Sequence, residues 1–263
     1  MTYSESDLIT SIDQLASELS TGRPAVEDLR GIDQFHGGGI EAVDRLIDSL
    51  ALDPSDLVLD VGSGLGGPAR RVAERTGCRV VGVDVAAPYV EAAVELTRRC
   101  GLADRVTFVH GDLATVEFRG QFDAAITMHV QMSVEDKVAW FSEFAERLRS
   151  GGRLAVWEVC RASDDPLQWP MPWSMDGSDS YLATGAELRD AITAAGFDVV
   201  EWVDETPWVR AWFAGTISGS QTVPVLPQLL DDGFTRVSHF AGAIEDGRVG
   251  IWRGSFVKHR EPT

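Results

Sequence analysis

One stretch constrains this chain more than any other: Asp60-Val61-Gly62-Ser63-Gly64-Leu65-Gly66-Gly67. It follows the apolar run Leu57-Val58-Leu59 and precedes Pro68-Ala69-Arg70-Arg71-Val72-Ala73-Glu74-Arg75. A proline suits the first turn of a helix, where its missing N–H has no helical partner. Glycines at such a strand-to-helix junction let the backbone turn sharply and approach a ligand closely. Asp84 closes the next apolar run, 18 residues beyond Gly66. A carboxylate there accepts both hydroxyls of a ribose. Gly62, Gly64 and Gly67 also satisfy G-x-G-x-x-G, a pattern shared with dinucleotide-binding loops.

From Leu57 onward, short β-branched runs alternate with longer amphipathic ones, which predicts βαβ units and a parallel α/β sheet. The further runs are Val80–Asp84, Val106–His110, Phe122–Met128 and Leu154–Val159. Helices are predicted from about Pro88 to Arg99, ended by Gly101, and from Glu135 to Arg149, closed by Gly151-Gly152. Arg161 to Tyr181 reads as an irregular insertion, Thr184 to Ala195 as a helix and Asp198 to Trp202 as a strand. Gly215 to Asp232 reads as a loop and Val249 to Lys258 as a final strand. The expectation is one domain over 1–263, with a helical cap at 1–50, a cofactor-binding core at 51–160 and acceptor-side insertions and final strands at 161–263.

Charge narrows the partners. Lys plus Arg number 23 against 41 for Asp plus Glu, a formal net charge of −18. A surface this acidic repels phosphate backbones and anionic lipid, so neither nucleic acid nor membrane is expected as a partner. No apolar run approaches the roughly 20 residues that span a bilayer, and Met1 to Thr10 lacks an apolar core. Cys78, Cys100 and Cys160 are odd in number and far apart, which fits a reducing compartment and no zinc site. His36, His110, His129, His239 and His259 show no metal-ligand spacing. The reading is a cytoplasmic monomer or homodimer with a small-molecule partner and no metal.

Two more carboxylates bear on the ligand. Asp60 stands just before the glycines, where it faces a dinucleotide's phosphates unfavourably but suits a cation. Asp112 follows the third strand in His110-Gly111-Asp112-Leu113. Three carboxylates around one crevice fit a ligand with an amine, a sulfonium and an adenosine but no phosphate, namely S-adenosylmethionine. A nicotinamide-dependent oxidoreductase using the same glycines is the alternative; Asp60, Asp112 and the absence of a Tyr-x-x-x-Lys pair weigh against it.

Val58 to Gly66 resembles the first motif of class I S-adenosylmethionine-dependent methyltransferases. Gly82-Val83-Asp84, His110-Gly111-Asp112 and Leu148-Arg149-Ser150-Gly151-Gly152-Arg153-Leu154 resemble their later signatures. The resemblance covers about residues 31 to 213. Met128 to Lys137 and Asp33-Gln34-Phe35-His36-Gly37-Gly38-Gly39 are similar to a small-molecule branch, that of the sarcosine/dimethylglycine and phosphoethanolamine N-methyltransferases. The resemblance implies a seven-stranded Rossmann-like sheet of order 3-2-1-4-5-7-6 with the last strand antiparallel. It also implies methyl transfer to N, O or C of a small molecule. Asp84 would hold the ribose, Asp112 and Leu113 the adenine, and the loop with Asp60, Gly62, Ser63, Gly64 and Gly66 the methionine part.

Methyl transfer needs an in-line approach with water excluded, and a base only if the acceptor keeps its proton. His129 follows the fourth strand at the carboxyl edge of the sheet; it is a candidate for acceptor chemistry and for the cofactor wall, and its ordinary pKa near 6.5 suits proton uptake at neutral pH. His36, beside Phe35 and three glycines, is the second catalytic candidate. Glu158 ends the fifth strand, within reach of an acceptor or of solvent. Trp169, Trp173, Trp208 and Trp212 fall in segments read as irregular, either as an acceptor pocket or as packing beneath loops. Trp140 and Trp157 read as core.

Overall fold

The computed structural model describes residues 23–218, 227 and 230–260. Its centre is a seven-stranded sheet of β1 (Leu57–Val61), β2 (Arg79–Asp84), β3 (Val106–His110), β4 (Phe122–Met128), β5 (Leu148–Arg161), β6 (Phe197–Asp204) and β7 (Val249–Lys258). The spatial order is β3-β2-β1-β4-β5-β7-β6, as the resemblance implied. β1 to β5 pair in parallel, and β7 runs antiparallel to β5 and β6.

Successive side chains of a strand point to opposite faces, so a sheet covered on both sides needs apolar residues at nearly every position. Val58, Val80, Ile126 and Trp157 face α1 (Gly39–Asp48), α2 (Gly67–Thr76) and, later in the chain, α7 (Gly233–Glu245). Leu59, Ala125 and Val156 face α4 (Lys137–Arg147) and α5 (Gly185–Ala194), where Phe141, Phe144, Leu188 and Ile192 are fully buried. α3 (Ala87–Cys100) closes a third cluster with Leu29, Ile32 and Leu65. Helix α6 (Thr206–Ser218) contributes Val209 to the first. Among the described residues, no helix is long and apolar enough to cross a membrane.

Three expectations change. The helix read as 135–149 spans only Lys137–Arg147, because the Asp136 side chain accepts the Ala139 amide and caps it, while Leu148 is already extended. Gly151 and Gly152 lie inside β5, where the register against β4 shifts. The loop read from Gly215 begins within helix α6, and α7 follows; Trp208 and Trp212 are therefore helical. A glycine within a helix costs about 1 kcal/mol relative to alanine, and burial of Val209, Phe240 and Ile244 outweighs Gly215 and Gly242. In the cap, residues 23–38 hold one 3-10 turn at Val26–Leu29, and only α1 is regular helix; residues 1–22 lie outside the described residues.

What fixes the non-helical part of the cap is an ion pair. Arg70 on α2 and Asp33 are both fully buried side chains, 2.8 Å apart. Arg70 also donates to the Leu65 carbonyl at 2.6 Å and to Thr97 Oγ1 at 3.0 Å. Burial pushes the Asp33 carboxyl up, and the guanidinium, which is always charged, retains it as a counter-ion. Removing one partner of such a pair strands the other charge. Arg70→Met should cost roughly 3–5 kcal/mol in urea unfolding. A loss below about 1 kcal/mol would mean the pair does not hold this segment.

Candidate active site

The chain leaves β1 through Gly62, where φ is 73° and a Cβ would stand 2.3 Å from Val130 Cγ2. Only glycine fits there. The Gly62 and Ser63 amides donate to the Val83 carbonyl at 2.9 and 3.1 Å, which ties the loop to the end of β2. Gly66, in the left-handed region, starts α2, and Pro68 lies in its first turn.

Asp84 is held by two backbone amides: Gly64 N donates to Oδ2 at 2.8 Å and Ala86 N to Oδ1 at 2.9 Å. Each oxygen retains a lone pair, so the carboxylate is oriented without being saturated. Burial raises its pKa. Asp60 is 2% exposed and its Oδ2 has no hydrogen-bond partner among the described residues. Burial, then the neighbouring charge of Asp84, pushes it up to about 7. Ser63 Oγ is likewise buried without a partner. These buried polar atoms at the loop fit a cationic ligand. Asp112 lies further out, exposed, its Oδ1 taking the Ala114 amide at 2.9 Å; Leu113 beside it is buried.

On the other side, His129 leaves β4 at φ 55°, a conformation few non-glycine residues adopt. Its amide donates to the Trp157 carbonyl at 2.9 Å. Behind it, fully buried Glu158 accepts from the Val130 and Gln131 amides at 3.0 and 3.2 Å and faces Thr127 Oγ1 at 3.4 Å. Glu158 is thus neither a solvated strand end nor a group reaching an acceptor; it holds the turn that presents His129. Burial, partly offset by these donors, pushes it up to about 8.

His36 stands opposite His129, ring centroids 6.0 Å apart and nearly perpendicular. Both line a cavity of about 520 Å³. Phe35, Met132, Trp173, Trp212, Phe213 and Phe240 supply much of its apolar wall. Phe35 also stacks on Tyr89 at 5.7 Å and lies 3.5 Å from where a Gly64 Cβ would be, so the glycine loop and the cavity share this wall. Of the four tryptophans singled out, Trp173 and Trp212 line the cavity. Trp208 instead packs on Trp157 and beneath the Arg45 guanidinium, 4.3 Å from its ring.

Burial alters the histidine chemistry expected from sequence. His36 drops to about 3, and burial together with nearby His36 holds His129 well below its ordinary value. Both rings are neutral at pH 7, so neither is a resting acid. In the sequence, Asp33 and Gln34 were noted only as part of a resemblance, with no role of their own, and the α7 wall was not identified. Arg236, Phe240, Ala243 and Ile244, buried on one stripe of α7, carried a readable helical period that Gly242 obscured. Glu158→Gln tests the electrostatics. The carboxyl's stabilising contribution is complete below its unfolded pKa of about 4.3 and lost as pH rises toward 8. Glutamine cannot ionise, so the variant's thermal midpoint should gain on the wild type from about pH 5 to 8 and then level off. Parallel pH profiles would contradict this.

Comparison with known proteins agrees with the fold. Residues 58–152 match a family described as a methyltransferase domain. Phosphoethanolamine N-methyltransferase 1 of Arabidopsis thaliana is 32% identical over 232 residues, 84% of this chain and 43% of that protein. Sterol 24-C-methyltransferase of Eremothecium gossypii is 31% identical over 157 residues, 57% of this chain and 42% of that protein. The chain spans less than half the length of either relative. The solved phosphoethanolamine N-methyltransferase 2 of Haemonchus contortus, in complex with S-adenosyl-L-methionine, aligns with a TM-score of 0.69 at 19% identity, over 96% of this chain and 57% of that one.

Proposed function

We propose that this chain, whose residues 58–152 match a family described as a methyltransferase domain, transfers a methyl group from S-adenosylmethionine to an apolar small molecule bearing one nucleophilic atom. The observation that carries the reading is Asp60, a buried carboxylate at the mouth of a glycine loop whose Oδ2 has no hydrogen-bond partner among the described residues. A pyrophosphate is repelled there, which argues against a nicotinamide cofactor; a cationic sulfonium or ammonium is attracted.

In this reading Asp84 takes the ribose hydroxyls, and Asp60, Gly62, Ser63, Gly64 and Gly66 surround the methionine part. Asp112 and Leu113 border the adenine, and His129 borders both ligands. The cofactor supplies an activated methyl group on a positively charged sulfur. The chain's own residues position the acceptor and exclude water: Phe35, His36 and His129 meet where cavity and loop adjoin. Much of the catalysis is then orientation and desolvation.

The cavity sets the acceptor class. Among its described lining residues the cation is Arg30, already paired with Glu27 at 2.7 Å. For a phosphorylated amine, such as the name of one relative carries, the described lining offers no cluster of charged donors of the kind phosphate recognition uses. Phenols, apolar amines and prenyl compounds fit the aromatic wall better. Residues from the cap (His36), the core (His129) and the acceptor-side segments (Trp173, Phe240) all line the cavity, which supports reading the three parts as one domain. Three buried free thiols support a reducing, cytoplasmic setting.

Calorimetric titration with S-adenosylmethionine and with NAD should give binding for the first alone. Asp84→Ala should weaken it about tenfold or more, because a hydrogen bond to a charged group is worth roughly 1.5–3 kcal/mol. A methyl-transfer screen of phenols, apolar amines and prenyl compounds beside phosphoethanolamine should turn over members of the apolar set. NAD binding, or turnover of phosphoethanolamine alone, would overturn the reading.

A further inference from the structure

With Asp33 ionised against Arg70, the polar groups between the ion pair and the cavity form a chain whose proton directions follow from the chemistry at each link. Arg70 Nη2 donates to Asp33 Oδ2 at 2.8 Å. A carboxylate only accepts, so the Gln34 contact to Asp33 Oδ1, 2.9 Å, is made by the amide nitrogen. Turning the amide over would set its oxygen against the carboxylate, two acceptors facing each other. Gln34 Oε1 therefore points the other way, 2.9 Å from His36 Nε2. A carbonyl oxygen only accepts, so His36 Nε2 carries the hydrogen.

A neutral imidazole has one N–H, and burial keeps His36 neutral. Its Nδ1 is then a bare lone pair, buried, with no hydrogen bond of good geometry among the described residues, the Gly37 backbone being its ring's near neighbour. His36 is 8% exposed and lines the cavity, and the ring that faces it, His129, has an unpartnered Nε2 of its own.

We propose that Asp33 and Gln34 are positioning residues that lock His36 as its Nε2–H tautomer, so that Nδ1 accepts a hydrogen bond from the protic group of the methyl acceptor. The final clause rests on the proposed function; the lock itself does not. It narrows the acceptor to an apolar molecule whose nucleophile carries O–H or N–H, rather than a bare carbon–carbon double bond. As the new bond to the methyl carbon forms, the carbon–sulfur bond breaks and its electron pair stays on sulfur. The attacking atom becomes acidic as it is alkylated, and its proton passes to Nδ1 and then to solvent. Arg70 anchors the far end to the Leu65 carbonyl of the glycine loop, so the same chain sets the imidazole against the cofactor side.

The test reads the tautomer directly. Wild-type protein labelled with ¹⁵N-histidine is examined by long-range proton–nitrogen correlation, with His36→Asn to identify the signals. Between about pH 6 and 8, His36 should show a protonated Nε2 and a bare Nδ1. Gln34→Met removes the pin and should give a mixture of both tautomers. With an acceptor from the screen, the same variant should lower kcat by about tenfold while KM and cofactor affinity change less than about twofold. A wild-type ring protonated at Nδ1 overturns the lock, whether or not the Met variant folds. So does a Met variant that keeps the Nε2–H tautomer. Unchanged kcat beside a mixed tautomer overturns the role of Nδ1. Failure of S-adenosylmethionine to bind, with the wild-type tautomer as expected, removes the methyl-transfer reading and leaves the lock standing.

Discussion

The Asp33–Arg70 pair is the contact on which the arrangement of this site depends. It joins a stretch with almost no regular structure to the first helix after the glycine loop, in an interior where neither charge tolerates loss of the other. From that one point, Arg70 reaches back to the loop through Leu65, and Asp33 reaches forward through Gln34 to His36. The cap is thereby fixed to the sheet at the place where the cofactor loop begins. Leu29 and Ile32, both fully buried beside Leu65, add apolar contact to the same junction.

A second clamp works on the opposite wall. Glu158 sits on β5, yet its contacts are the amides of the turn after β4, and it keeps that turn in place while His129 adopts a left-handed backbone. Each imidazole is thus presented by a buried acid behind it, one through an amide side chain and the other through the backbone. Such support from fixed dipoles and charges is what a site built on orientation requires.

Much of the parallel core was legible in the sequence because β1 and β4 are short apolar runs buried along nearly their whole length, and β1 and β2 each lead into a helix. β1, β3, β4 and β7 fall at the residues expected. The glycine loop and Asp84 were legible for a related reason: backbone geometry at a strand–helix junction admits few residue types, and Gly62 against Val130 shows why. What the sequence hid was contact between distant segments. Nothing local marks Asp33 as the partner of Arg70, 37 positions away, or Glu158 as the holder of Val130. Helices α6 and α7 were hidden differently, since Gly215 and Gly242 disguise helices that packing against the sheet stabilises.

If the ion pair couples cap and loop, a ligand that orders the loop must also order the cap. Hydrogen exchange with and without an S-adenosylmethionine analogue measures this directly. The account predicts slower exchange at residues 62–66 and, in the same titration, at residues 33–39, lost together in Arg70→Met. Protection confined to 62–66, with 33–39 unchanged, would contradict it.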